Sequence, residues 1–226
     1  REQGFSLLLP HLAKTRGEAR VLRFAARREL GDNHPLAAAE HLATILRMAD
    51  HAARDEIAIS SLVAAAMTSL SLGEMRVLAE SGRMNEATRG CMIAAIERLS
   101  HTDPCGIRRS MRGERELMLR ATMATFTGPD AGRNFAAFIE SSSDDGEATK
   151  VRMLAVADWT HERLAAETTR AEGAFDALEA AWDSPEAAEA IAQVEQRINR
   201  DEFGIVAALV CPSMGKIHAR SQRLIE

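Results

Sequence analysis

The sequence has no tyrosine, two tryptophans and seven phenylalanines, so aromatic residues make up only 4% of the chain. β-Branched residues are sparse beside alanine and leucine. Sheets draw on β-branched and aromatic side chains, so a fold built on strands is excluded. Lysine is confined to Lys14, Lys150 and Lys216, and every other basic residue is arginine, a side chain suited to bidentate carboxylate pairing. Three cysteines, Cys91, Cys105 and Cys211, lack metal-ligand spacing and are too few for a disulfide framework. There is no glycine-rich phosphate loop and no uninterrupted apolar run of about 18 residues, so no membrane span is expected within this chain.

What is present favours helices. Alanine and leucine dominate, and alanine, leucine, arginine, glutamate and methionine are all residues that favour helices. With 226 residues, 46% of them apolar, the chain is long enough to bury roughly 70–75% of its unfolded surface. Net charge is −5, so no global attraction to nucleic acid or an anionic membrane follows.

Apolar residues recur at steps of three and four along most of the chain. Val21, Leu22, Ala25, Ala26 and Leu30 give a first helix its inward side, and Gly31-Asp32-Asn33 stops it. Leu36, Ala39, Leu42, Leu46, Ala49 and Ala53 form the face of a second helix opened by Pro35, so residues 18–53 read as a hairpin. A helix over 56–81 is apolar on a wide arc, including Ile59, Leu62, Val77 and Leu78, and is expected to be central. Gly82 and Asn85 then punctuate the chain before a helix with Met92, Ala95, Ile96 and Leu99. After the break at 101–106, helices are expected over 107–125 and 130–140. A long helical stretch follows over 147–183, with a break near Gly173. A helix restarting at Ser184-Pro185-Glu186 buries Ala187, Ile191, Val194, Ile198, Ile205 and Leu209, and a last one runs from Cys211-Pro212-Ser213 to Glu226. The expected fold is an all-α irregular helical-hairpin array or bundle. It forms a single domain over 1–226, with an internal joint at the acidic loop 141–146.

The segment AARRELGDNHPLAAAEHLATILRMA resembles a tetratricopeptide-type hairpin, although the period of about 34 residues does not return. Four pieces together, RVLRFAARRELGD, ISSLVAAAMTSL, RRSMRGERELML and LVCPSMGKIHARSQR, resemble a family of uncharacterised helical proteins from planctomycete-type bacteria. The resemblance implies a bacterial protein and a membrane anchor upstream of this region. That would make the chain an extracytoplasmic part; without an anchor it would be cytoplasmic. It implies no activity and no catalytic residue.

Candidate sites are few. Asp158 and His161, with Glu162, are the nearest approach to the paired carboxylate–histidine motifs of a di-metal bundle, and they occur once, so they read as a polar helix face. His34 and His101 lie in turns; His41 and His51 flank the apolar stripe. Cys105 and His101 are the one local pair suited to nucleophilic catalysis, without a third group to orient them, so Cys105 reads as a structural thiol. A Cys105–Cys211 disulfide is a further alternative. Arg16, Arg20, Arg23 and Arg27 form a basic stripe, as do Arg108, Arg112 and Arg115. With glutamates interspersed and stacking aromatics lacking, both read as solvated faces and not as nucleic-acid sites. Met67, Met92, Met111 and Met118 read as core filling. No catalytic, cofactor-binding or metal residue is assigned. The expected function is a non-catalytic helical scaffold for an unknown protein partner. The alternative is a helical bundle that binds a small molecule or catalyses from residues distant in sequence.

Overall fold

The computed structural model describes residues 10–99, 103–142 and 147–211. Helices take up 81% of them, and no strand occurs among them. The fold is all-α. The described chain falls into two compact units, one up to Ser110 and the other from Met111 onward.

The first unit begins with α1 (Pro10–Gly31), α2 (Pro35–Ala52), α3 (Ala58–Glu80) and α4 (Glu86–Glu97), followed by the start of α5 (Ile107–Arg115). Asn33, at φ 67°, makes the turn between α1 and α2, and Pro35 opens α2 at a position where its missing N–H costs nothing. The hairpin foreseen over 18–53 is present, and α1 starts earlier than expected. α2 packs against α1, α3 and α4, so it is the central helix of this unit. That corrects the expectation for α3, whose apolar arc extends round to solvent at Ile59 and Val77. By length and composition α3 could cross a bilayer, with a mean hydropathy of 1.3 over its best window. In the fold it buries Val63, Ala64, Met67 and Leu78 together with Ser60, Ser61, Thr68 and Ser71. Gly82, at φ 69°, follows α3, and Asn85 Oδ1 accepts the Thr88 amide at 2.8 Å to cap α4.

The second unit holds the rest of α5, a π turn (Glu116–Arg120), α6 (Ala121–Thr125), α7 (Ala131–Ser142), α8 (Glu147–Ala157), α9 (His161–Trp182), α10 (Ala187–Asn199) and α11 (Ile205–Val210). α9 is its hub, packing on α7, α10, α11, the π turn and α6, with Leu164, Ala171, Phe175 and Leu178 buried. Two boundaries differ from expectation. The stretch 147–183 breaks at Asp158–Thr160, where Thr160 Oγ1 accepts the Arg163 amide at 3.3 Å to cap α9. Gly173 lies inside α9, 3.5 Å from the Phe203 ring measured from where a Cβ would stand. The expected single helix carrying Ile198 and Leu209 is two helices. Asp201 (φ 57°) and Gly204 (φ 87°) turn the chain between α10 and α11, and Arg152 of α8 holds that turn through Asp201 at 2.9 Å and the Asn199 carbonyl at 2.7 Å.

Residues 143–146 of the acidic loop and the helix expected after Cys211 lie outside the described residues.

Candidate functional site

The basic stripe of α1 divides into two parts. Arg23 Nε donates to Glu74 Oε1 at 2.8 Å; Arg27 donates through Nε to Oε2 at 2.9 Å and through Nη2 to Oε1 at 2.7 Å. Glu74 is 11% exposed, and its carboxyl is held below the usual glutamate range, above all by the Arg27 hydrogen bonds. Arg16 and Arg20 remain exposed. The second stripe is also engaged: Arg112 Nη2 reaches Glu179 at 2.7 Å, and Arg115 Nη1 reaches Asp176 at 2.6 Å. Arg27 and Arg112 remain solvated, as expected of these faces, while Arg23 and Arg115 are half-buried; all four pair with a carboxylate on another helix. Each guanidinium lies within reach of a carboxylate from a neighbouring helix, a contact invisible along one helix alone.

Cys105 sits in a turn built for packing. Asp103 caps α5, its Oδ1 accepting the Ile107 amide at 2.7 Å and its Oδ2 the Arg108 amide at 3.1 Å. Gly106, at φ 69°, lies so close to the Ala53 carbonyl that no side chain fits, and the Ser61 hydroxyl donates to the Gly106 carbonyl at 3.0 Å. Cys105 is fully buried, and burial pushes its thiol up to about 11. A thiol with that pKa stays protonated at neutral pH and makes a poor nucleophile. The Thr68 hydroxyl lies near enough to temper the shift, yet it has no hydrogen bond of proper geometry. His101 lies outside the described residues. Cys91, Cys105 and Cys211 are free thiols.

Asp158 stands exposed just past α8, whereas His161 opens α9, half-buried. His161 Nδ1 donates to the Phe126 carbonyl at 2.9 Å, which ties the imidazole to the α6–α7 connection. That connection is packed by Phe126 against Phe135 and Phe138, with ring centroids 5.5 and 5.7 Å apart. Gly132 lets the start of α7 approach the Trp159 carbonyl, to which its amide donates at 3.1 Å. Among the described residues no three His, Cys, Asp or Glu side chains converge as metal ligands. Met67, Met92 and Met111 are buried, as expected of core filling.

What the sequence did not disclose is the exposed apolar surface. On α1, Val21 and Phe24 face solvent at 67% exposure each; on α3, Ile59 and Val77 do so, and on α4, Ile93 and Ile96. The clamp on Glu74 places α1 beside α3, with Phe24 next to Arg23 and Val77 one turn beyond Glu74. A second exposed pair, Val151 and Leu154, lies on α8 in the other unit. The signal for α1 was present but faint. Its packed stripe is Leu12, Ala19 and Ala26 at seven-residue steps, so Val21 and Phe24 fall on the opposite side.

Comparison with models of known protein families, with curated proteins and with solved structures finds no match.

Proposed function

We propose that the chain is a non-catalytic helical scaffold that binds another protein through the outer face of α1 and α3. The observation that carries this reading is the solvent exposure of Val21, Phe24, Ile59 and Val77 on two helices already locked side by side. Val21 and Phe24 lie three residues apart on the outer side of α1, and exposed apolar helix faces of this kind are characteristic of surfaces that associate. The resemblance of the α1–α2 hairpin to tetratricopeptide hairpins, and of the whole to a bacterial family with an upstream anchor, belongs to the same reading.

The alternative, a bundle with a small-molecule site, finds its support in the buried hydroxyls of α3. Three of these are bound into the fold: Ser60 to Asp55 at 3.1 Å, Ser61 to the Gly106 carbonyl and Ser71 to the Leu42 carbonyl at 2.8 Å. Only Thr68 is left for a ligand, so the scaffold is preferred. Elemental analysis of untagged protein adds a check: one equivalent of zinc or iron per chain, lost on mutating His161, would favour the alternative.

A photo-reactive phenylalanine analogue at Phe24, and separately at the exposed Arg89, tests the scaffold in the native host. Discrete protein adducts from position 24 and none from position 89 are expected. No adduct at position 24, or the same adducts from both, would refute it.

A further inference from the structure

The two exposed apolar pairs match each other. Along α1 the solvent-facing residues Gly17, Val21, Phe24 and Arg28 follow steps of four, three and four, with Lys14 one step earlier. Along α8 the solvent-facing residues Glu147, Val151 and Leu154 follow the first two of these steps, and Asp158, exposed just past the helix end, stands four residues further on. Each stripe has two large apolar side chains at its centre: Val21 and Phe24 are both 67% exposed, Val151 60% and Leu154 76%. At one end basic Arg28 of α1 corresponds to an acidic residue of α8; at the other Gly17 ends the matched steps, with basic Lys14 one step beyond it.

We infer that α1 of one copy docks on α8 of a second copy, an assignment that rests on the scaffold reading and names its partner. With the helices antiparallel, Phe24 meets Val151, Val21 meets Leu154, and Arg28 meets Glu147. Gly17 then faces Asp158, and Lys14, one step beyond Gly17, is the basic side chain of the stripe closest to that carboxylate. Gly17 has open space where a side chain would stand, so the α8 backbone can approach there. The ends are available for new partners. Lys14–Glu18 at 3.9 Å and Arg28–Asp32 at 3.7 Å are highly exposed pairs, a kind that contributes little. Among the described residues Glu147 and Asp158 make no ion pair. The contact joins unlike surfaces and every copy has both, so association closes into a two-fold pair or continues as a chain.

Charge exchange tests this. The wild-type chain should self-associate in sedimentation velocity as concentration rises, and less so as salt is added. Lys14→Glu with Arg28→Glu on α1, or Glu147→Lys with Asp158→Lys on α8, should each weaken association about tenfold or more, because like charges then face each other. All four positions are exposed, and circular dichroism confirms that each variant keeps its helices. An equimolar mixture of the two variants should restore association, since acidic α1 then meets basic α8. A wild-type monomer at every concentration, a variant that associates like wild type, or a mixture that stays apart would each overturn the inference. If the wild type is monomeric while Phe24 still cross-links another protein, the self-docking fails and the scaffold stands. If Phe24 yields no adduct, the scaffold fails as well.

Discussion

Arg27 holds Glu74 in a two-point grip, Nε to one carboxylate oxygen and Nη2 to the other, at 2.9 and 2.7 Å. The grip joins α1 to α3 across 47 residues of sequence, and Arg23 strengthens it from the same side. Removing the carboxylate charge with Glu74→Gln should cost about 1.5–3 kcal/mol of stability at neutral pH, the range for hydrogen bonds to charged groups. Since the native carboxyl titrates below its ordinary value of 4.5, this contribution is complete above that value and disappears as pH falls through the lower native one. Urea unfolding across the acid range should therefore show variant and wild type converging at low pH. A difference unchanged by pH would mean the ion pair is not its source.

Gly106 tolerates no side chain. Its φ of 69° is strained for an L-residue, and an added Cβ would collide with the Ala53 carbonyl. Gly106→Ala should cost at least about 2 kcal/mol, because neither contributor can relax without moving α2 or the α5 cap. Gly90→Ala makes a fair control: it is helical with open space around it and should gain about 0.5–1 kcal/mol. Equal effects at the two sites would contradict the packing described for the Cys105 turn.

Thr68 offers a test in the opposite direction. Its hydroxyl is buried without a hydrogen bond, and such a group retains its desolvation cost. Thr68→Val keeps the shape and removes that cost, so a stability gain of about 1 kcal/mol is expected in chemical denaturation. A clear loss would reveal a partner for the hydroxyl.

Leu46, Leu62 and Ile198 all read as core in the sequence, but the structure separates them. Leu46 and Ile198 are buried, whereas Leu62 is half-buried. Truncation to Ala should cost about 2–5 kcal/mol at Leu46 and Ile198 and markedly less at Leu62. A Leu62→Ala loss as large as that at Leu46 would place α3 in a different rotation.

The helical class and most helix ends were legible because they depend on local chemistry: Pro35 at a first turn, Asn85 as a cap, glycine after α3. The errors came from contacts between helices. Val21 was assigned inward because it is large and apolar, yet the packed side of α1 is made largely of alanines, which allow close approach and weigh little in a hydropathy pattern. The joint between α10 and α11 depends on Asp201 and Gly204 at positive φ; Gly204 carried that signal in the sequence, but the apolar spacing that runs on from Ile198 to Ile205 and Leu209 masked it. The partners of the arginines could not be read along the chain because Glu74, Asp176 and Glu179 lie far from them in sequence.

The division between the two units has a practical meaning for anyone who would take the molecule apart. It falls between Ser110 and Met111, inside α5, where no linker exists to be cut. Severing the chain there would leave one fragment ending in open carbonyls and the other starting with open amides, about four of each. Asp103, whose carboxylate closes the first turn of α5, supplies a cleaner beginning. A fragment begun at that residue brings its own helix start, at the expense of taking the Cys105 turn away from Ala53 and Ser61, so the first half is the one that would suffer from the surgery.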